Sequence, residues 1–326
     1  MKYRVALIGG GIIARNHLDA VGRLDKLEAA AVADTDEGKG RVLAEEYGIS
    51  YYRDYREMVL GERPDIAVIA LPHYLHAPCA VWCAEQGCHL LLEKPMALNT
   101  AQCDDIMAAV KDAGVKLMVG HTQHYKPANI LAKRLIQSGE LGRLLAIHDT
   151  RHQYYYRDNR PGWFLNKEKS GGGILMNLGA HSIDKVQWLT DSRVRRVKAK
   201  VTYEGPRGDV EGSGCLFLET DSGLSAVILQ SGYEGVARDE TELIFTRGMA
   251  KLVSAEGLWV SVGGKYEQAQ PLPEEDPFIL QFEDLLRAIE LGVEPDSSGE
   301  YARSVIAALE AVYASDRTGV EQDVGP

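Results

Sequence analysis

The chain has 326 residues, long for one domain and ordinary for two. Hydrophobic residues at 45% and charged residues at 25% exclude a disordered or fibrous chain. A net charge of −11 argues against nucleic acid or an anionic membrane surface as partner, and no apolar run approaches the roughly 20 residues that span a bilayer.

The opening Met1-Lys2-Tyr3-Arg4 runs through Val5–Ile8 straight into glycine, so it does not read as a secretory leader. Val5–Ile8, Ala29–Ala33, Ile66–Leu71, Leu90–Leu92 and Leu117–Val119 are short, nearly continuous apolar runs. Such runs suit strands buried on both faces of a parallel sheet. Helical patterns lie between them at Glu37–Tyr47, Ala77–Gln86 and Ala101–Ala113, each ending near a glycine (Gly48, Gly87, Gly114). The alternation predicts an α/β domain over 1–122, a doubly wound parallel sheet of Rossmann type.

Beyond Lys126 the texture changes. A helix at Asn129–Gln137 precedes longer strand-like runs at Leu144–Asp149, Val194–Tyr203, Cys215–Glu219, Leu224–Leu229, Glu242–Phe245 and Leu258–Val262. Turns rich in Gly and Asp separate them, as in a large open antiparallel sheet. Helices at Pro277–Leu291 and Gly299–Ser315 close an α+β domain expected over 123–326. Five cysteines without paired C-x-x-C spacing fit a reducing compartment, so a cytoplasmic protein is expected.

The sharpest local signal is Gly9-Gly10-Gly11-Ile12-Ile13-Ala14, a G-x-G-x-x-A turn between a strand and a helix. Gly9 suits the tight turn, Gly11 admits a pyrophosphate close to the backbone, and Ala14 lets helix and strand pack. The helix start, with Ile12 and Ile13, adds amide donors. Asp34, twenty residues beyond Ala14, stands where an acid takes the ribose hydroxyls. No arginine follows directly to receive a 2′-phosphate, which favours NAD over NADP; Arg41 on the next helix is the one counter-signal.

Glu93-Lys94-Pro95 follows the strand at Leu90–Leu92, a position where ligands collect in open α/β sheets. Ser170-Gly171-Gly172-Gly173 leads to Asn177, His181 and Asp184, which share one face if the segment is α-helical. His73, His76, Cys79, Cys83 and Cys88 tempt a metal reading, but their spacing describes the inner face of a packed helix, and no metal is expected. The run His148–Arg157, with Trp163 and Phe164, reads either as sugar-stacking faces and hydroxyl partners or as strand residues facing solvent or a subunit neighbour. Arg151 or Arg157 would suit a substrate carboxylate or phosphate.

Together these residues resemble the Gfo/Idh/MocA family of nicotinamide-dependent sugar and inositol oxidoreductases. Gly9-x-Gly11-x-x-Ala14, Ala33-Asp34, Pro72-x-x-x-His76, Glu93-Lys94-Pro95, Gly139–Gly142 and Gly171–Gly173 through Asn177, His181 and Asp184 carry the likeness. Ala311–Ser315 with Thr318-Gly319 extends it toward the C-terminus. The resemblance implies that Lys94 lies beside the nicotinamide and the reacting hydroxyl and that His181 meets the substrate. Leu71, Pro72, His76 and Glu93 are then expected at the cofactor, and Asn177, His124 and Trp163 at the substrate. It also implies packing as a homodimer or homotetramer.

This chain departs from the family's pattern at three points: Asn177 where Asp is common, His73 where Asn is common, and His124 where Arg is common. An amide cannot accept a proton at neutral pH, which leaves Lys94 and His181 as the titratable pair. The expected activity is hydride transfer between NAD and a polyhydroxylated small molecule, a sugar, sugar derivative or inositol. The alternative is a ligand sensor that binds the dinucleotide without turnover.

Overall fold

A computed structural model describes residues 2–254 and 256–325. The chain forms two compact units, one built from residues up to Thr122 together with Asp276–Arg303, the other from Gln123–Glu275 and the chain from Ser304 on. The segment Asp276–Arg303, which the sequence reading kept with the second domain, therefore groups with the first.

The first unit alternates strands and helices: β1 (Tyr3–Ile8), α1 (Ala14–Arg23), β2 (Leu27–Ala33), α2 (Glu37–Tyr47), β3 (Ser50–Tyr52), α3 (Tyr55–Glu62), β4 (Ile66–Ile69), α4 (His76–Glu85), β5 (His89–Leu92), α5 (Thr100–Ala113) and β6 (Leu117–Val119). The strand order is β3-β2-β1-β4-β5-β6 and all pairings are parallel. This is the doubly wound order with its switch point beside β1. β4 is buried along its whole length, as a strand covered on both faces should be. Asp36 and Asn99 cap α2 and α5 through side-chain oxygens, and Gly48 and Gly114 end them in the left-handed region. The apolar-run reading missed β3, whose Ser-Tyr-Tyr has no such run.

The second unit contains α6 (Pro127–Ser138), β7 (Leu144–His152), the short α7 (Lys167–Ser170), α8 (Ala180–Thr190), β8 (Val194–Thr202), β9 (Ser213–Thr220), β10 (Ser225–Ser231), β11 (Arg238–Phe245), β12 (Gly248–Val253), β13 (Gly257–Val262) and β14 (Lys265–Gln268). The chain then forms α9 (Pro277–Leu291), α10 (Gly299–Thr318) and β15 (Gln322–Asp323). α9 packs on α1 in the first unit. The nine-stranded sheet has the order β14-β13-β12-β11-β7-β10-β9-β8-β15 and is antiparallel except where β10 lies parallel to β7.

Strict two-residue alternation marks β9 and β10. Leu216, Leu218, Ala226 and Ile228 are buried, while Cys215, Phe217, Val227 and Leu229 face outward. Phe217 and Val227 are direct cross-strand partners on that outer, apolar face. Among the described residues no helix is long and apolar enough to cross a membrane.

Candidate active site

Sheet register brings the first group of expected residues to one edge. Ala33, Ile8, Ile69, Leu92 and Val119 are successive partners across β2, β1, β4, β5 and β6. The chain therefore leaves the sheet at one level as Gly9, Asp34, Ala70, Glu93 and Gly120. Gly9 has φ +103°, and a Cβ there would lie 2.4 Å from the Ala70 carbonyl oxygen, so both conformation and space require glycine. Gly11 has open space around it, and Ile12 beside it is 94% exposed. Ala14 is buried against the sheet, and no side chain caps the first amides of α1.

Asp34 accepts the Gly10 N–H through Oδ2 and the Asp36 N–H through Oδ1, both at 2.7 Å. Its carboxylate is thereby locked against the glycine turn with lone pairs left for a hydroxyl donor. Arg41 is engaged elsewhere: its Nε donates to Glu37 at 2.7 Å and its guanidinium covers the Tyr51 ring.

Glu93 and Lys94 begin the loop after β5, and the Lys94–Pro95 peptide is cis. Glu93 Oε1 lies 2.9 Å from Nε2 of the buried His17, whose ring meets Phe278 and Phe282 of α9 edge to face. Burial pushes Glu93 up, but the His17 hydrogen bond, with the neighbouring Lys94 charge, outweighs it and holds the carboxyl below its usual value. A Cβ on Gly120 would press on this carboxylate at 3.3 Å. Nothing in the local sequence around His17 signalled its partnership, which joins α1 to the loop after β5.

His76 is buried, with Nδ1 2.8 Å from the Pro95 carbonyl and Nε2 2.8 Å from the Leu71 carbonyl. It thus links the loops that follow β4 and β5. Burial lowers its pKa toward the neutral ring, which donates to only one of the two carbonyls. His73 is buried against it, ring to ring at 5.8 Å. Cys79, Cys83 and Cys88 are buried free thiols, and Cys88 donates to the Pro64 carbonyl.

In the second unit the glycine-rich approach has a packing cause. A Cβ on Gly172 would lie 2.1 Å from the Tyr313 hydroxyl, and one on Gly173 would lie 2.2 Å from the Glu211 carbonyl oxygen. Glu211 is fully buried and accepts from the Leu175 N–H at 3.0 Å and the Tyr313 hydroxyl at 2.9 Å. Burial raises its pKa more than these bonds and the Gly173 amide lower it. This anchor starts a π-helical turn at Leu175–Gly179, and α8 follows. The expectation of one α-helical face for Asn177 and His181 is therefore corrected: Asn177 lies in the wider turn and His181 in the first turn of α8. Such turns are frequent at functional sites. Asn177 and His181 are both half-buried.

His124 has no exposed side-chain surface. Its Nε2 lies 2.7 Å from Asp184 Oδ1, and its ring stacks on Trp188 at 4.9 Å. Trp163 is half-buried and stacks on Phe164, with the Arg160 guanidinium over Phe164 and Tyr155. Within the tyrosine run, Tyr155 and Tyr156 are core residues, so these two neither face solvent nor offer stacking faces. They fill space left by glycines: a Cβ on Gly232 would strike Tyr155, and one on Gly205 or Gly212 would strike Tyr156 or Tyr233.

Two family profiles cover most of the chain. One, described as an oxidoreductase family with NAD-binding Rossmann fold, matches residues 3–121; the other, the Gfo/Idh/MocA C-terminal domain, matches 130–251. The chain belongs to the Gfo/Idh/MocA family. It is 30% identical over 217 residues to the 2,7-anhydro-N-acetylneuraminate hydratase of Mediterraneibacter gnavus, 66% of this chain and 56% of that protein. The aligned region thus spans little more than half of that relative. Inositol 2-dehydrogenase 1 of Saccharopolyspora erythraea is 27% identical over 275 residues, 81% of this chain and 78% of that one. Among solved structures, the aldose-aldose oxidoreductase of Caulobacter crescentus complexed with glycerol superposes with a TM-score of 0.91 at 26% identity, covering 99% of this chain and 100% of that chain.

Proposed function

We propose that this Gfo/Idh/MocA protein is an NAD-preferring oxidoreductase that interconverts a secondary alcohol and a ketone on a polyhydroxylated small molecule. The observation that carries the reading is the single row of strand ends from which the Gly9–Ala14 turn, Asp34, Leu71-Pro72 and Glu93-Lys94 emerge. The residues suit a dinucleotide: a glycine cradle with open space at Gly11, uncapped amides at α1, and a carboxylate fixed beside them. When bound, the nicotinamide ring accepts or returns the hydride.

The chain's own groups then handle orientation and protons. Asp34 takes the ribose hydroxyls of NAD, and its charge, with Asp36 close by and Arg41 tied to Glu37, disfavours a 2′-phosphate. Lys94 and His181 take or return the hydroxyl proton. Asn177, as an amide, orients the substrate by hydrogen bonding and moves no proton. Glu93, held ionised by His17, steadies the segment bearing Lys94, and His76 fixes the same loop through the Pro95 carbonyl. His124 is a support for α8 through Asp184, and Trp163 offers a ring to a sugar face. Positioned proton transfer contributes typically about 10²–10⁴-fold.

The outward face bearing Phe217, Val227 and Leu229 supports self-association as a homodimer or homotetramer. Five cysteines without paired C-x-x-C spacing support a cytoplasmic setting. The deciding experiment follows nicotinamide absorbance over a panel of inositols, aldoses, sugar acids and amino sugars. Turnover that Lys94→Ala abolishes supports the enzyme reading. Binding of NADH and of a panel compound without turnover would favour the sensor.

A further inference from the structure

One face of the second unit's sheet carries a charge cluster that the proposed chemistry does not use. Asp149 and Arg151 alternate onto the same face of β7, and their cross-strand partners on β11 are Thr241 and Asp239. Lys185 of α8 packs onto this face, donating to Asp149 at 3.1 Å and to Thr241 at 2.8 Å. Asp149 is fully buried, and although burial pushes it up, Lys185 with the Ser182 and Thr241 hydroxyls holds it ionised. That pair is matched in charge.

The two other cations are not. Arg151 has a 16% exposed side chain, and its one ion pair among the described residues is with Asp239 at 3.7 Å, too far for a hydrogen bond; Asp239 also lies 3.9 Å from Lys185. Lys126, at the start of α6, is half-buried beside Arg151, Lys185 and Asp239, and its ammonium has no hydrogen-bond or ion-pair partner among the described residues. Three cations thus face two carboxylates, one of which is consumed by Lys185. Gathering desolvated like charges without acceptors is costly unless an anion completes the set. The surplus is one positive charge, and the open donors are a guanidinium fork and an ammonium. That combination matches a planar, singly charged carboxylate, which a guanidinium binds through two parallel N–H donors. Lys185 stands one helical turn beyond His181 on α8, so the cluster adjoins the residue assigned to the substrate.

We propose that Arg151 and Lys126, backed by Lys185, form a carboxylate subsite, and that the substrate is a sugar acid rather than a neutral sugar or inositol. This rests on the oxidoreductase reading for its link to turnover, but not for binding.

The test uses the full chain with NADH bound. Calorimetric affinities are measured for matched pairs, aldonates and uronates against their neutral aldoses, with the corresponding sugar phosphates as a third arm. At least one acid is expected to bind more tightly than its neutral partner and its phosphate. Arg151→Met and Lys126→Met should each weaken that acid by about 10- to 100-fold, leaving NADH affinity at its wild-type value. Arg151→Lys, which keeps the charge and removes the fork, should fall between. No acid preferred over its neutral partner, a preference that survives both methionine variants, or a general preference for phosphate would overturn the subsite. Arg151-dependent acid binding with no nicotinamide turnover would leave the subsite standing and remove the oxidoreductase reading. Turnover of neutral polyols with no acid preference would do the reverse.

Discussion

The carboxyl of Glu211 should be the pH-sensitive element under the π-helical turn that carries Asn177. It is fully buried, its Oε1 accepts from the Leu175 amide and the Tyr313 hydroxyl, and burial pushes its pKa above the usual carboxylate range. Glu211→Ala strands both donors out of water, at about 1–3 kcal/mol each. At roughly 2–4 °C per kcal/mol for a domain of this class, melting should fall on the order of 5–20 °C. Glu211→Gln retains an acceptor oxygen of nearly the same shape and should cost under about 1 kcal/mol near the acid end. The pH dependence has a definite sign. A carboxyl whose folded pKa exceeds its unfolded value stabilises the fold fully below the unfolded value, and that contribution is lost as pH rises through the folded one. Wild type should therefore lose ground to Glu211→Gln as pH climbs from about 5 to 9. Differential scanning calorimetry of the three proteins across that range measures it. A glutamine-minus-wild-type difference that is flat with pH, or an alanine variant that melts with the glutamine one, would refute the argument.

Further outcomes follow from other contacts. Asp34→Ser frees the Gly10 amide and removes the charge facing a 2′-phosphate, so NADH binding should weaken and the preference over NADPH shrink by at least about tenfold, read by fluorescence titration; an unchanged ratio would contradict the assignment. His124→Leu removes the ring nitrogen that lies 2.7 Å from the fully buried Asp184 carboxyl, with an expected loss of about 3–5 kcal/mol in denaturant unfolding. Phe217→Glu places a charge at the centre of the outward apolar face and should lower the molecular mass measured by light scattering without lowering the melting temperature of the unit; an unchanged mass would remove that face as the interface.

The first unit was largely legible because its signals are local. A buried parallel strand is a short apolar run, and a dinucleotide turn needs glycine at fixed spacings, so β1, β4 and the Gly9–Ala14 turn can be read directly. α2 and α9 begin and end where caps and stops put them, at Glu37–Tyr47 and Pro277–Leu291. The pairings that shape the candidate site were not legible, because they join residues far apart in the chain. His17 with Glu93, His124 with Asp184 and Tyr313 with Glu211 each depend on register and burial rather than on spacing. The glycine run at 171–173 was visible, but its cause, the Tyr313 hydroxyl and the Glu211 backbone pressing on it, was not. The tyrosines at 155 and 156 misled for a related reason: the glycines that make room for them lie some fifty or more residues further on.

Lys94 and the nicotinamide site are proposed to serve one reaction on a polyhydroxylated substrate. The most direct measurement is nicotinamide-linked turnover on the best compound of the sugar, sugar-acid and inositol panel, comparing wild type with Lys94→Ala at saturating NAD and with NADH affinity measured in parallel. Turnover is expected to fall about 10²-fold or more, with NADH affinity essentially unchanged. Turnover that survives the substitution would contradict it.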